Sequence, residues 1–411
     1  MKLTKQAFVL CLIVMCVCSA SAATKPLKVF ILAGQSNMQG RARNSTLPQM
    51  LSHPDTAPMA KLMFDADNKP LPIKDVWIAS MGVNKDQSEK FGQLECGYGY
   101  SGGGGLKIGP EMGFAITMQQ QLKEPVLIIK TTWGGKSLFC DFRPPSAGQW
   151  DFGLDSLKNP KFDHDKVRAD RRKNSGIYYR KMVDYVNKVL ADIKRVYPDY
   201  DPKQGYEIAG FSWFQGVHDF GDDSTYPNLG TDGCYDEYSR LLGCLICDLR
   251  KEFKAPKMPF VIGVLGISGD LRHMKEGDPM ISWVREFRKA MAAPASFAEF
   301  KGNVSAVYTD KYWDHELEGI SLLWPKYKDK IGELKKQQVA HMENKPRLRR
   351  LQLNEENQAR LEAYKMELFT PQGWKLFSEG NSNAAYHYLG SYKIYSRIGK
   401  AFADSIIEMS K

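Results

Sequence analysis

Long apolar runs are scarce in this 411-residue chain. Beyond the N-terminal stretch, no segment is apolar enough to cross a membrane, so the sequence predicts no membrane span in the mature chain. Basic and aromatic residues do not alternate as they do in a nucleic-acid-binding surface, and we expect no nucleic-acid partner. Internal repeats are also lacking, which argues against a solenoid. With 43% hydrophobic and 25% charged residues, the composition is that of an ordinary globular protein.

Residues 1–22 have the pattern of a secretory signal. Lys2 and Lys5 precede an apolar stretch, and small residues at 20–22 form a cleavage site. A retained membrane anchor is the alternative, although the apolar stretch is short for a span. We therefore expect the signal to be removed and residues 23–411 to be exported, either secreted or retained in a periplasm.

Acidic residues are outnumbered by basic ones, which gives the chain a formal charge of +10. Removal of the signal takes away two lysines and no acids, so the charge falls by two to +8. Such a basic surface favours an acidic glycan or another anionic partner, unless it is only a solvated face.

Cysteines are few, and those beyond the signal are odd in number. Cys244 and Cys247 form a C-x-x-C motif in a predicted helix over 235–253. Their apolar neighbours favour small buried hydrophobic residues over a redox or metal pair. After export, the formation of one disulfide that involves Cys96 or Cys140 is an open alternative.

The sequence VFILAGQSNMQGRA at 29–42 begins as a buried strand and breaks at Gly34. A hydroxyl directly after a buried strand lies at the carboxyl edge of a sheet, where open α/β folds bind their ligands. Backbone N–H groups of the following turn can stabilise an anion there. Ser36 therefore fits a nucleophile and part of its oxyanion hole, or else a residue that only caps the turn.

Four further apolar segments predict buried strands, and the segments between them predict helices. These strands lie at 126–132, 208–214, 259–266 and 303–309, with one more candidate at 75–81. Alternating strands and helices predict a parallel sheet covered on both faces. We expect one α/β domain, a three-layer α/β/α sandwich around a five-stranded parallel sheet. Its predicted insertions lie at about 43–108 and 140–174, with a charged helical one at about 326–368.

The motif GQSNM at 34–38 resembles the signature of SGNH-type hydrolases related to sialate O-acetylesterases and the family 6 carbohydrate esterases. GPEMGFA at 109–115 and WFQG at 213–216 add to the resemblance, which spans nearly the whole mature chain. It implies a flavodoxin-like SGNH fold and a secreted esterase that removes acetyl groups from sugars. It also implies an acyl-enzyme mechanism at Ser36 that needs no metal and no cofactor.

The resemblance implies the oxyanion donors as well. They are the backbone N–H of Ser36, an N–H of Gly134 or Gly135, and the side-chain amide of Gln215. From the residues alone, the two glycines fit a plain turn equally well. The neighbours of these residues in the sequence are predicted to bind the substrate: Gln35, Asn37, Trp133 and Trp213.

His387 lies just before a predicted C-terminal helix over 391–409, where SGNH enzymes carry the general-base histidine, often as D-x-x-H. A lone histidine is usually structural, but its place at the end of a matching series of motifs favours the base. The family pattern is broken at two positions, because Ala384 replaces the usual aspartate and Val217 replaces a frequent glutamate.

The acid that orients His387 therefore has several candidates. Asp219 is the first, and Asp310 and Asp314 are the others. A backbone carbonyl or a serine–histidine dyad would also serve, because removal of a triad member leaves residual activity.

Other functions stay open beside sialate deacetylation. One is deacetylation of xylan or another polysaccharide by the same fold. Another is a carbohydrate-binding protein that has lost catalysis, as the missing acids suggest. A third is an interaction protein that uses the charged segment at 327–368. The oligomeric state is left open.

Overall fold

The computed structural model describes residues 25–150, 164–340, 342 and 346–411. The predicted signal at 1–22 lies outside the described residues, as does part of the predicted insertion at 140–174.

The described chain has nine strands. They are β1 (Leu27–Gly34), β2 (Ala42–Arg43), β3 (Val76–Met81), β4 (Lys90–Gln93), β5 (Lys107–Ile108), β6 (Val126–Thr132), β7 (Tyr206–Phe214), β8 (Phe260–Val264) and β9 (Val304–Tyr308). Six of the nine strands in the described chain, all except β2, β4 and β5, lie in the apolar segments of the sequence. Seven of the nine form one sheet in the order β4-β3-β6-β1-β7-β8-β9, while β2 and β5 pair separately.

The sheet is parallel except at one edge. Strand β1 lies at its centre and pairs in parallel with β6 and β7. The edge strand β4 pairs antiparallel with β3. The predicted α/β class is confirmed, but the predicted count of five strands was too low. The sheet also contains the candidate strand β3 and the edge strand β4, whose sequence KFGQ has no apolar run to reveal it.

Helices connect the strands and cover the sheet. They are α1 (Ser36–Gln39), α2 (Leu47–Ser52), α3 (Ala57–Met63), α4 (Glu111–Leu122), α5 (His164–Asn174), α6 (Ile177–Ala191), α7 (Val217–Phe220), α8 (Asp236–Glu252), α9 (Met280–Ala292), α10 (His315–Ser321), α11 (Trp324–Ala340), α12 (Glu355–Gly380) and α13 (Tyr392–Met409). None of the described helices has the length and apolar composition that a membrane span requires.

Two hydrophobic cores lie on opposite faces of the sheet. Along β1, Val29 and Ile31 point into one core, and Phe30 and Leu32 point into the other, as the two-residue period of a strand requires. Helices α6, α8 and α9 cover the first face, and α4 and α13 cover the second. The molecule is therefore a three-layer sandwich in which β1 is buried from both sides.

The charged segment after β9 carries helices α10, α11 and α12 and a small aromatic core of its own. Tyr327, Phe369 and Phe377 are buried there against one another. Helix α12 is kinked at Thr370, which has a φ of 58° and precedes Pro371. The chain that follows the end of α12 at Gly380 returns to the carboxyl edge of the sheet.

All five cysteines of the described residues are free. Cys96 and Cys140 are buried, whereas Cys244 is half-buried and Cys247 is exposed. The interpretation of Cys247 as a buried hydrophobic residue was therefore wrong, because the helical period turns it outward on α8.

Candidate active site

A cavity of about 500 Å³ opens at the carboxyl ends of β1, β6 and β7, the edge at which the sequence predicted a site. Ser36 lines it from the loop after β1, and His387 lines it from the loop before α13. We call residues 34–40 the nucleophile loop and residues 382–390 the histidine loop. The fold thus brings together the two predicted catalytic residues, which are 351 positions apart (387 − 36) in the chain.

The nucleophile loop leaves β1 through a glycine that nothing else can replace. Gly34 has a φ of 149°, and a Cβ atom there would lie 2.2 Å from the carbonyl oxygen of Phe214 on β7. The N–H of Gln35 donates to that same carbonyl at 3.2 Å, and the N–H of Trp133 donates to Gly34 O at 3.1 Å. These bonds tie the ends of three neighbouring strands together below Ser36.

Ser36 begins the short helix α1 and is 5% exposed. Within the described residues its hydroxyl has no hydrogen-bond partner, and neither has its backbone N–H. Contacts between a nucleophile and its base often tighten only when substrate binds. Ser36 therefore has a free hydroxyl and a free amide at the floor of the cavity.

A buried ion pair supports the nucleophile loop from behind. Lys130 and Glu111 are both fully buried, and their side chains meet at 2.7 Å. The Lys130 ammonium also donates to the carbonyls of Gln39 and Tyr98, each at 2.9 Å. Since three acceptors surround the charge, the pair holds the end of α1 in place.

The glycines after β6 lie at different distances from Ser36. A Cβ atom on Gly134 would be 3.8 Å from Ser36 Cβ and 3.0 Å from Arg41 Nη2, whereas Gly135 has open space around it. Both glycines line the cavity. Gly134 is therefore the glycine beside Ser36, and the oxyanion role of the two glycines stays a prediction.

The histidine loop is held in a strained shape at the edge of the sheet. Tyr388 and Leu389 have φ angles of 49° and 57°, which side chains other than glycine rarely adopt. The buried Tyr388 hydroxyl accepts a hydrogen bond from the N–H of Gly266 at 2.8 Å and shares another with Thr309 at 2.6 Å. Gly266 follows β8 and Thr309 follows β9, and their hydrogen bonds to Tyr388 compensate for the backbone strain of the histidine loop.

Asn37 joins the two loops rather than binding substrate. It is 1% exposed, and its side-chain amide donates to the carbonyl of Tyr386 at 3.1 Å. Its side-chain oxygen accepts from the hydroxyl of Tyr395 on α13 at 3.0 Å. The prediction of substrate binding by Asn37 is therefore corrected, because both of its polar atoms are used inside the protein.

His387 has a partner that the sequence did not reveal. Its Nδ1 lies 3.0 Å from the side-chain oxygen of Asn383. Burial, and next the positive charge of Arg41, lower the pKa of His387 to about 4. The imidazole is therefore neutral at pH 7, as a general base must be.

Asp219 does not orient His387. Its buried carboxylate accepts hydrogen bonds from the N–H groups of Leu138 and Phe139 and from the hydroxyl of Tyr226. Burial raises the pKa of Asp219 to about 6, although these hydrogen bonds act in the opposite direction. The prediction of Asp219 as the acid is corrected, because this carboxylate instead fixes the loop after β6.

The other two acids are also engaged elsewhere. Asp310 lies 3.2 Å from Arg288. Asp314 lies 2.6 Å from Lys393 and caps α10 through the N–H of Leu317. Neither carboxylate is part of the cavity lining.

Gln215 is not available as an oxyanion donor in the structure. Its side-chain nitrogen already faces three acceptors, which are Gln35 Oε1 at 3.2 Å, the carbonyl of Lys136 at 2.9 Å, and Asp219. Its side-chain oxygen accepts from Tyr238. Since an amide nitrogen has two protons, none is left for the substrate, and the predicted donor role of Gln215 is corrected to a supporting one.

The remaining predicted binding residues divide into two groups. Gln35 and Trp133 line the cavity. Trp213 is fully buried and packs edge-on against Phe142 at 5.1 Å between ring centres. Its predicted contact with substrate is therefore corrected, because alternation along β7 turns it into the core.

The cavity wall is cationic, which the sequence did not localise. Arg41, Lys136 and Lys181 line it, and among the described residues no aspartate or glutamate does. The ammonium groups of Lys136 and Lys181 lie 4.5 Å and 5.0 Å from the centre of the Tyr178 ring. These residues come from separate loops and helices, so no local motif could have found them.

Comparison with known proteins identifies one family. The family model described as carbohydrate esterase, sialic acid-specific acetylesterase, matches residues 26–299, which is more than half of the chain. The matched segment includes the nucleophile loop, whereas the histidine loop follows it. A comparison with curated proteins found no match.

Two solved structures are similar to this chain at low identity. One is a protein from Arabidopsis thaliana, 16% identical over 69% of this chain and 86% of that one, with a TM-score of 0.35. The other is a carbohydrate acetylesterase from Xanthomonas citri, 14% identical over 68% of this chain and 49% of that one, with a TM-score of 0.37. These values are too low to bear on the fold or activity of this chain.

Proposed function

Because the chain belongs to the carbohydrate esterase, sialic acid-specific acetylesterase family, we propose that it removes acetyl groups from an acidic sugar with Ser36 as nucleophile and His387 as base. The observation that carries this proposal is the shared cavity, which both residues line from opposite loops. The neutral state of His387 also supports it, since only a neutral imidazole can accept the serine proton.

The proposed reaction has two stages. His387 takes the proton from the Ser36 hydroxyl as its oxygen attacks the acetyl carbonyl, and the protonated imidazole then gives that proton to the departing sugar oxygen. In the second stage His387 removes a proton from water as the water oxygen attacks the acetyl carbon. The bond from that carbon to Ser36 Oγ then breaks, the protonated imidazole returns the proton to Oγ, and acetate is released. Each stage returns His387 to its neutral form.

The negative oxygen of each tetrahedral intermediate needs donors in fixed positions. The backbone N–H groups of Ser36 and Gly134 suit this role, because both residues line the cavity and a Cβ atom on Gly134 would lie 3.8 Å from Ser36 Cβ. Gly135 has a φ of 67° and shapes the turn that presents Gly134.

An acidic sugar suits this cavity better than a neutral one. Arg41, Lys136 and Lys181 provide cationic groups, and Trp133 and Tyr178 provide aromatic faces. Lys136 already lies 3.4 Å from Asp141, but Arg41 and Lys181 have no acidic partner among the described residues. A carboxylate on the sugar would offset these two cations, whereas a neutral xylan chain would leave them without a counter-charge. Sialate deacetylation is therefore the first proposal, and deacetylation of an acetylated xylan is the second.

The test is acetate release from O-acetylated sialic acid, acetylated pectin, acetylated xylan and an aryl acetate. Ser36→Ala and His387→Ala should each abolish release from every substrate, with losses of about 10²-fold or more. Acetate release that is indifferent to both substitutions would reject the proposed mechanism. No release from any substrate by the wild type would favour a carbohydrate-binding protein.

A separate pair of protein variants tests the proposed preference for an acidic sugar. Lys181→Met should raise KM for sialate and pectin more than for the aryl acetate, because only the acidic sugars use the charge. Lys400→Met is the matched control, since Lys400 pairs with Asp404 on the surface of α13. Equal effects of Lys181→Met on charged and neutral substrates would reject the acidic-sugar proposal.

We also propose that residues 1–22 direct export. Expression of the full chain with a C-terminal tag should deliver a shorter protein outside the cytoplasm. Deletion of residues 2–22 should keep it inside. A full-length product that remains in the cytoplasm would reject this proposal.

A further inference from the structure

We infer that Asn383 is the positioning residue of His387, so that an uncharged amide has the place of the aspartate in this Ser36–His387 site. The inference rests on the proposed function, since it assigns a partner to the proposed base. The sequence pattern D-x-x-H would put an acid at position 384, which is alanine. The amide that contacts the imidazole belongs to Asn383, the residue immediately before position 384.

The orientation of the Asn383 amide is fixed by a second contact. The backbone N–H of Ala384 donates to the Asn383 side-chain oxygen at 2.9 Å. Only the oxygen of an amide can accept a hydrogen bond, so the same oxygen faces Nδ1 of His387. Nδ1 must then be the protonated nitrogen. The other ring nitrogen, Nε2, is left unprotonated and able to take the serine proton.

The two ends of the histidine loop are joined without the Asn383 side chain, whose one bond to the loop backbone is that from the N–H of Ala384. The N–H groups of Ser382 and Asn383 both donate to the carbonyl of Leu389, at 2.8 Å and 3.1 Å. The Ser382 hydroxyl donates to the carbonyl of Gly390 at 2.6 Å and accepts from the N–H of Arg43 at 3.0 Å. Replacement of the Asn383 side chain therefore changes its contacts with His387 and with the N–H of Ala384, and it leaves the hydrogen bonds that close the loop intact.

The groups that face His387 carry no negative charge. Those that share its cavity come from five other elements and from its own loop: Arg41, Tyr100, Lys136, Lys181, His218 and Tyr386. The three acids proposed from the sequence are bonded elsewhere, and among the described residues no carboxylate lines the cavity. Asn383 thus orients the imidazole without stabilising the imidazolium that forms during the reaction.

This arrangement has a measurable consequence. An aspartate at position 383 would place a negative charge beside Nδ1, which favours the protonated imidazole and raises its pKa. The acid limb of kcat/KM against pH should then move upward by about one pH unit in Asn383→Asp. Asn383→Leu retains the size of the side chain but removes the acceptor, and its kcat should fall about tenfold or more with little change in KM.

Ser382→Ala is the matched control for these variants. It removes two hydrogen bonds of the same loop but does not touch His387. It should lower the temperature of unfolding without moving the acid limb. An acid limb that stays in place in Asn383→Asp, together with a kcat of Asn383→Leu within about twofold of wild type, would overturn the inference.

A second measurement is independent of activity. Nitrogen NMR of the full, isotope-labelled protein distinguishes the two neutral tautomers of histidine, and His387→Gln identifies the signals of His387 by difference. We expect protonated Nδ1 and bare Nε2 in the wild type, and a mixture of tautomers in Asn383→Leu. A wild-type signal with protonated Nε2 would overturn the inference.

The two measurements separate the inference from the proposed function. If Ser36→Ala and His387→Ala abolish acetate release but the Asn383 variants behave like wild type, the esterase stands and the role of Asn383 fails. If acetate release is indifferent to Ser36→Ala, the proposed function fails. The NMR measurement of the His387 tautomer then decides by itself whether Asn383 orients the imidazole.

Discussion

The nucleophile loop and the histidine loop form two sides of one cavity, but the protein holds them in different ways. The nucleophile loop follows the central strand β1 and is tied by backbone hydrogen bonds to its neighbours in the sheet. The histidine loop follows no strand, and side chains hold it to the edge of the sheet. Tyr388 anchors it after β8 and β9, and Asn37 links it to the nucleophile loop.

This difference shows how an active site can combine a rigid half with an adjustable half. A loop that is fixed by strand pairing resists most single substitutions in its side chains. A loop that is fixed by side chains depends on a few hydrogen bonds, so the loss of any one of them shifts the loop more. We therefore expect substitutions behind the nucleophile to act on stability and those behind the base to act on catalysis.

The largest expected effect is on the buried ion pair behind the nucleophile loop. Lys130→Met removes the ammonium but leaves Glu111 buried without a cation, which should cost about 3–5 kcal/mol in the free energy of unfolding. Urea unfolding of the purified variant measures this loss. A variant that does not fold at all would also agree with this prediction.

A double variant provides the control for this prediction. Lys130→Met with Glu111→Gln removes both charges, and it should recover much of the lost stability. If the single and double variants were equally unstable, the loss would come from the packing of Lys130 rather than from an unpaired charge.

The next effect concerns the pH dependence of stability through His387. Its pKa of about 4 in the folded protein lies below the usual 6.5, so the unfolded chain binds a proton that the folded protein does not between these values. The free energy of unfolding should thus fall as the pH is lowered from about 6.5 toward 4, by about 2 kcal/mol at pH 5.

Comparison of wild type with His387→Asn isolates this contribution. The variant should gain stability relative to wild type as the pH falls from about 7.5 to about 5. A constant difference between the two proteins across this range would contradict the buried, neutral state of the base.

The smallest expected effect on stability is that of Tyr388→Phe, which sharpens the comparison of the two loops. The substitution leaves the N–H of Gly266 without its acceptor and removes the bond to Thr309, whose hydroxyl still donates to the carbonyl of Val264, and this should cost roughly 1–2 kcal/mol. We expect kcat to fall with little change in KM, because the strained loop that carries His387 loosens. Tyr395→Phe, which loses the bond to Asn37 on the other side of the loop, is the companion variant. An unchanged kcat in both would mean that the loop does not depend on these hydroxyls.

The position of Ser36 at the edge of the sheet could be predicted from the sequence because its surroundings are local. A buried strand followed by Gly34 and Ser36 places a hydroxyl at the edge of the sheet wherever that strand lies. The same reasoning placed Gly134 and Gly135 directly after β6, since a strand end and its next residues are neighbours both in sequence and in space, whereas their proposed oxyanion role came from the family resemblance.

The partners of those residues could not be predicted in this way. Asp219 and Gln215 follow β7 as expected, but their side chains are used by Tyr226, Tyr238 and the loop after β6. Which of several nearby groups a polar side chain bonds depends on the packing around it. Asn383 lies one position from the expected acid, and only its contact with Nδ1 distinguishes it.

The sequence by itself thus determined the α/β class, the strands that carry the site, and the edge at which the site lies. These features follow from hydrophobic periodicity and from the position of polar residues at strand ends, which are properties of short segments. Only the tertiary structure decided the partner of His387, the cationic wall of the cavity and the buried ion pair behind Ser36. The cavity wall and the ion pair join residues of different elements, whose contacts arise only after the layers have packed together. Asn383 and His387 are only four positions apart, but their contact depends on the folded shape of the histidine loop.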